Sequence, residues 1–212
     1  MKLFNRPESF GAIFFLKGDG LFMKTASRSK QKLQRLTTAA VLSALSIVLM
    51  LTVRFSIFPS APFYEMEFSD LPILICSSVL GPVYSIVSLF VVCLIQTLTV
   101  SASSGIIGFL MHFLSSGLMI LTMYFLKKSL KGLKGVVVSA VAGVLVVVIV
   151  MIPMNMWLTS EFMNLAVKDF IAGFLGVCIA FNGIKSGSNI ILFNLLSSKV
   201  VKEYSKIVNK GE

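Results

Sequence analysis

From Leu71 to Leu126 the chain runs 56 residues without an Asp, Glu, Lys or Arg, and His112 is the one basic side chain in that run. A hydrocarbon core takes about 20 helical residues at about 1.5 Å each, so such a stretch must reverse direction within lipid more than once. Gly81-Pro82 is the predicted turn. Proline lacks the amide hydrogen a helix interior needs and glycine tolerates the turn, so a short helix is expected before the pair and a longer one after it.

Charge placement fixes the count of spans. Of the 19 Lys and Arg, eight precede Leu36, four lie from Lys127 to Lys134 and four follow Ser198. An even number of spans between these clusters puts all three on the cytoplasmic face, with Glu65, Glu67, Asp70, Glu161 and Asp169 facing outward. The net charge of +10 is therefore read as a positive-inside pattern, and no nucleic-acid partner is expected. With 56% hydrophobic residues and a mean hydropathy of +0.92, a single polytopic membrane domain is the bound. Cys76, Cys93 and Cys178 all lie in apolar segments without C-x-x-C spacing and are read as filler, with neither a disulfide nor a zinc site.

The expected spans are helix 1 from Leu36 to Val53, helix 2 from Ser69 to Gly81 capped by Ser69 or Asp70, and helix 3 from Val83 to Val100. Helix 4 is expected from Ser104 to Leu126 and helix 5 from Gly135 to Leu158. A loop or re-entrant piece over 160–180 then leads to helix 6, Phe181 to Val200, because 29 residues between Asp169 and Lys199 carry only Lys185. Helix 2 is too short to cross upright, so the loop before it must dip inward or the bilayer must thin. Residues 1–35 form a basic cytoplasmic segment in which Met23 is an alternative start, 36–204 the membrane domain and 205–212 a basic tail.

Polar residues inside spans are costly and point to function. Asn182, Lys185, Ser186 and Asn189 share one helical face, where Lys185 either snorkels to the outer interface or serves a binding pocket. Asn155 follows Pro153, which is expected to kink helix 5, and is either a pocket residue or an interhelical bond. Gly105, Gly108, His112 and Ser115 make a narrow stripe that suits close packing or a flat ligand, with His112 read as a buried hydrogen-bonded histidine. Ala40 and Ala44, with Thr37 on the same side of helix 1, allow another helix to approach, from inside the chain or from a partner. Between helices 1 and 2, Phe58, Phe63, Tyr64 and Phe68 with Pro59 and Pro62 form either a lid over an outward pocket or an interfacial anchor.

The segment "FPSAPFYEMEFSDLPILICSSVLGP" resembles the first loop and second helix of the substrate-binding S components of energy-coupling factor (ECF) vitamin transporters, the riboflavin-specific ones in particular. F-P-x-A-P-F, then S-D-[LI]-P, then G-P before helix 3 carry the likeness, which extends from about Leu33 to Tyr204. It includes the Ala40 and Ala44 pair, the Gly105 and Gly108 region, Asn155 after "MIPM", and "FNGIKSG", similar to the family's F-N-x-x-K-G element. The chain departs from the family's pattern at Ala180, Ser186 and His112, where members commonly carry Pro, Gly and Asn.

That resemblance implies an all-α integral membrane fold of six transmembrane helices, with both termini cytoplasmic, a short helix 2 and an extracellular lid. It implies that Asn155, Asn182 and Lys185 hydrogen-bond a flavin in a pocket bordered by Gly105 and Gly108, that Phe58, Phe63 and Tyr64 cover it, and that Ala40 and Ala44 pack on a transmembrane coupling subunit. Riboflavin is then the transported substrate rather than a cofactor, and two cytoplasmic ATPases supply the energy. The chain carries no G-x-x-x-x-G-K-[ST] of its own. An S component for another vitamin or precursor, an autonomous secondary transporter and a membrane-embedded enzyme are the alternatives. The last requires convergent acids and bases, and the predicted spans supply one His and no internal carboxylate pair.

Overall fold

The computed structural model describes residues 28–130 and 132–210. Helix α1 (Arg28–Thr52) leads into a hairpin of β1 (Arg54–Ser56) and β2 (Glu65–Glu67), followed by α2 (Asp70–Leu80), α3 (Pro82–Leu98) and α4 (Gly105–Ser129). Helix α5 (Gly132–Met154) continues through a π turn at Asn155–Thr159 into α6 (Ser160–Met163), and α7 (Val167–Lys210) completes the chain. The alternative start at Met23 lies outside the described residues.

The expected break between α2 and α3 is present. Gly81 has φ +94°, a conformation that glycine adopts without a Cβ penalty, and Pro82 takes the first position of α3, where its missing N–H costs nothing. Helix α2 has only 11 residues, as its sequence bounds require. Its start differs from expectation: neither Ser69 nor Asp70 caps it through a side chain. The Ser69 carbonyl instead accepts from Ser46 Oγ, tying α2 to α1, and Asp70 turns inward to His112.

The largest departure is at the C-terminal end. The loop over 160–180 and a helix starting at Phe181 are replaced by one 44-residue helix, α7, about 66 Å long at 1.5 Å per residue. Lys185 lies within this helix, its ammonium paired inside the bundle with Glu67 at 2.9 Å. Likewise α1 starts at Arg28, eight residues before the first uncharged position of the span.

Helices α2, α3, α4, α5 and α7 share one core, in which Ile73, Leu89, Val92, Met119, Ile120, Met151 and Ile190 are almost fully buried. A second cluster gathers Ala61, Tyr64, Phe170, Cys178 and Phe181 where the hairpin loop meets α7. The outer faces remain apolar: Val41, Val87, Leu110, Val141, Ile149 and Ile191 are exposed, as lipid contact demands. Four segments, Gln31–Thr52, Gly105–Ser129, Gly132–Met163 and Val167–Lys206, have the length and hydropathy of membrane spans, while α2 and α3 are shorter apolar helices.

Three helices pack closely at Gly143. A Cβ there would lie 3.0 Å from Met123 Cγ and 3.1 Å from Ile190 Cδ1, where α4, α5 and α7 meet. Gly143→Val is expected to cost about 1–3 kcal/mol through overpacking and to lower the thermal midpoint in detergent. An unchanged midpoint would show that this contact relaxes freely.

Candidate functional site

The hairpin places two kinds of side chain over the bundle. In its antiparallel register Arg54 faces Glu67 and Ser56 faces Glu65, and the intervening loop brings Phe63 and Tyr64 down onto α7. Tyr64 stacks on Phe181 with ring centroids 4.9 Å apart and donates its phenol hydrogen to Asn155 Oδ1 at 2.7 Å. Phe63 lies 4.6 Å from Tyr64 and 5.8 Å from Phe174.

Asn155 owes its position to Pro153. Proline cannot donate to the Ile149 carbonyl, and the helix relaxes into the π turn at Asn155–Thr159, the kind of irregularity that membrane helices tolerate where protein satisfies the backbone. The fully buried Asn155 amide donates to the Met151 carbonyl at 2.7 Å, and its Oδ1 accepts from Thr159 as well as Tyr64.

Beneath the hairpin is a cavity of about 330 Å³, bounded by the hairpin, the end of α3, the start of α4, the π turn and the middle of α7. Asn155, Asn182, Lys185, Phe63, Tyr64 and Gly108 all line it, so six of the expected ligand residues converge. Phe58 and Gly105 do not reach it. Phe58 packs on the second cluster under the hairpin, and Gly105, at φ +49°, is used to open α4. Ser186 and Asn189 share the face of Lys185 but serve the scaffold: Ser186 bonds the Asn182 carbonyl, and Asn189 donates to the Glu67 carbonyl at 3.2 Å. Ala40 and Ala44 are exposed on α1, away from the cavity.

Glu67 and Asp70 are only 2% and 3% exposed, a burial that charge counting by sequence does not reveal, and they surround His112 and Lys185. Lys185 Nζ donates to Glu67 Oε1 at 2.9 Å, Gln96 Nε2 donates to the same oxygen at 3.3 Å, and His112 Nε2 lies 3.1 Å from Asp70 Oδ1. His112 Nδ1 bonds Gln96 Oε1. The expectation of no internal carboxylate pair fails: β2 and the first turn of α2 carry Glu67 and Asp70 into the bundle. Burial of Glu67 opposes its ionisation, but the facing Lys185 and His112 outweigh it and hold the hairpin carboxyl below its ordinary range. At the rim, Arg54 pairs with Glu65 and donates to Ser101 Oγ at 3.2 Å.

Gln96, Arg54, Glu67, Ser101, Thr159 and Phe181 therefore join the site without having been predicted. Glu67 could have been found from the dipping loop that a short helix 2 requires. Gln96, an amide near the end of an otherwise apolar span, carried a similar signal.

Aromatic rings, amides and an ammonium gathered around one cavity in an apolar bundle mark a multi-pass membrane protein with a candidate small-molecule site. Residues 34–197 match the family model described as the ECF transporter, substrate-specific component, and the chain belongs to this family, which comprises transporter components rather than enzymes. It is 32% identical over 126 residues to the riboflavin transporter FmnP of Bacillus subtilis (strain 168), a match covering 58% of this chain and 65% of that protein's length. Its fold is similar to that reported under "Structure and mechanism of the S component of a bacterial ECF transporter", with a TM-score of 0.72, 26% identity, and coverage of 82% of this chain and 98% of the other.

Proposed function

We propose that this chain is the riboflavin-binding S component of an ECF-type importer in the cell membrane, capturing the vitamin outside and releasing it inside. The observation that carries this reading is the cavity: about 330 Å³, within the range of roughly 300–1,000 Å³ for small-molecule sites, lined by the stacked pair Tyr64 and Phe181 together with Asn155, Asn182 and Lys185. A flavin ring packs against aromatic faces, while its carbonyls and ribityl hydroxyls take amide and ammonium hydrogens. The 32% identity to a riboflavin transporter supports the choice of vitamin.

The test is to purify the chain in detergent from flavin-containing medium and record its visible spectrum. Flavin bands that travel with the protein are expected. Their absence, with a different vitamin found by mass spectrometry, would replace the substrate and keep the class.

Transport by this reading needs a transmembrane coupling subunit and two cytoplasmic ATPases, with both termini of the chain cytoplasmic. Ala40 and Ala44 are the proposed contact for the coupling subunit, because they are exposed, small and four residues apart on α1. Ala44→Trp is expected to abolish co-purification with the coupling subunit and leave the flavin spectrum unaltered. Retained co-purification would move the interface elsewhere.

A further inference from the structure

His112 is the single histidine of the chain, and the polar atoms that meet its ring nitrogens are acceptors. Nε2 faces Asp70 Oδ1 at 3.1 Å. Nδ1 bonds Gln96 Oε1, with Glu67 Oε1 3.5 Å from the same nitrogen. The Gln96 amide is oriented by its own donation to Glu67 at 3.3 Å, since turning it over would set its oxygen against a carboxylate. A neutral imidazole has one N–H and one lone pair, so it would present a lone pair to one of these oxygens. An imidazolium donates to both.

The charges that line the cavity, with Asp70 beside His112, give the same answer. Arg54 and Lys185 oppose Glu65, Glu67 and Asp70, and a third cation makes the set neutral. Glu67 and Asp70 are both buried beside His112, and buried carboxylates are sustained by opposite charge.

We propose that His112 is held as an imidazolium and is a positioning residue for ligand binding: it fixes Glu67 and Asp70, keeps the hairpin docked and Lys185 directed at the cavity, and leaves a site of no net charge suited to an uncharged ligand. The groups facing it are Glu67 from β2, Asp70 from α2, Gln96 and the Cys93 thiol from α3, and Lys185 from α7 through both carboxylates. The competing arrangement places the proton on Asp70 and leaves the ring neutral.

Because the chain has one histidine, nuclear magnetic resonance of ligand-free protein labelled with ¹⁵N-histidine reads this ring without overlap. Both ring nitrogens are expected to be protonated at neutral pH, and one unprotonated nitrogen in the wild-type protein overturns the proposal. Asp70→Asn and Glu67→Gln should each lower the pH at which the ring loses its proton, and no movement in either variant also overturns it.

Only the remaining arm rests on the riboflavin reading. Wild-type flavin affinity should fall as pH rises through the ring transition, whereas His112→Gln should bind at least about tenfold more weakly with a flat profile. An affinity indifferent to the charge on the ring overturns the positioning role. If no flavin binds at any pH, the riboflavin reading falls, and the spectrum of the ligand-free protein still decides the charge on His112.

Discussion

Lys185→Met is expected to weaken flavin binding about ten- to hundredfold and to destabilise the protein as well. The affinity figure follows from losing one charge-assisted hydrogen bond, about 1.5–3 kcal/mol, at about 1.4 kcal/mol per factor of ten. The stability loss has a different origin. Lys185 donates to Glu67 Oε1 at 2.9 Å, and removing it takes the nearest counter-charge from a carboxylate that is 2% exposed, leaving it Gln96 and His112. Breaking a buried pair from one side costs about 3–5 kcal/mol, most of it from the charge left behind. Acidification should narrow the variant's deficit, because Glu67 without its ammonium takes up a proton more readily.

These two effects separate in the double variant. Adding Glu67→Gln removes the stranded charge, so the thermal midpoint should largely recover while flavin affinity stays low. Recovery of both would mean that Lys185 acts only by holding the hairpin. Full affinity in Lys185→Met alone would remove the ammonium from the site.

Asn155→Ala is expected to cost a similar factor in affinity by a second route. The amide is fully buried, and it joins Tyr64, Thr159 and the Met151 carbonyl in one network. Its removal takes a polar group from the cavity wall and leaves the Tyr64 phenol without its acceptor. About 1–3 kcal/mol is the usual penalty for such an orphaned buried group, equivalent to about five- to 150-fold in affinity if it falls on the bound state. Tyr64→Phe isolates the contribution of the hairpin contact, since it breaks the 2.7 Å bond and leaves the amide free to face a ligand. A loss of a few fold is expected there, together with faster hydrogen exchange in the hairpin loop. Equal losses in Asn155→Ala and Tyr64→Phe would show that Asn155 works through the hairpin and not through the ligand.

How much of this was legible in sequence varied by element. The charge-free run and Gly81-Pro82 were enough to place α2 and α3, because lipid length and backbone sterics are local constraints. Asn155 was legible through Pro153, although the response is a π turn rather than a simple kink. Asn182 and Lys185 were visible as polar residues on one helical face. Phe58 and Gly105 were misassigned to the cavity because composition marks a lid and a stripe without saying which members point inward. The start of α7 differs because 29 residues with one charge are too many for one upright span and too few for two, whereas a helix of 44 residues runs through the whole stretch.

The sequence by itself determined a membrane bundle with a short second helix, since unpaired backbone and charge cannot stay in hydrocarbon and apolar run lengths record that exclusion directly. Only the tertiary structure decided that Glu67 and Asp70 turn inward, that α7 runs unbroken from Val167 and that the hairpin lies over a cavity. A charge becomes tolerable in the interior when its counter-charge arrives from another helix, and that pairing depends on contacts far apart in the chain which no local pattern encodes.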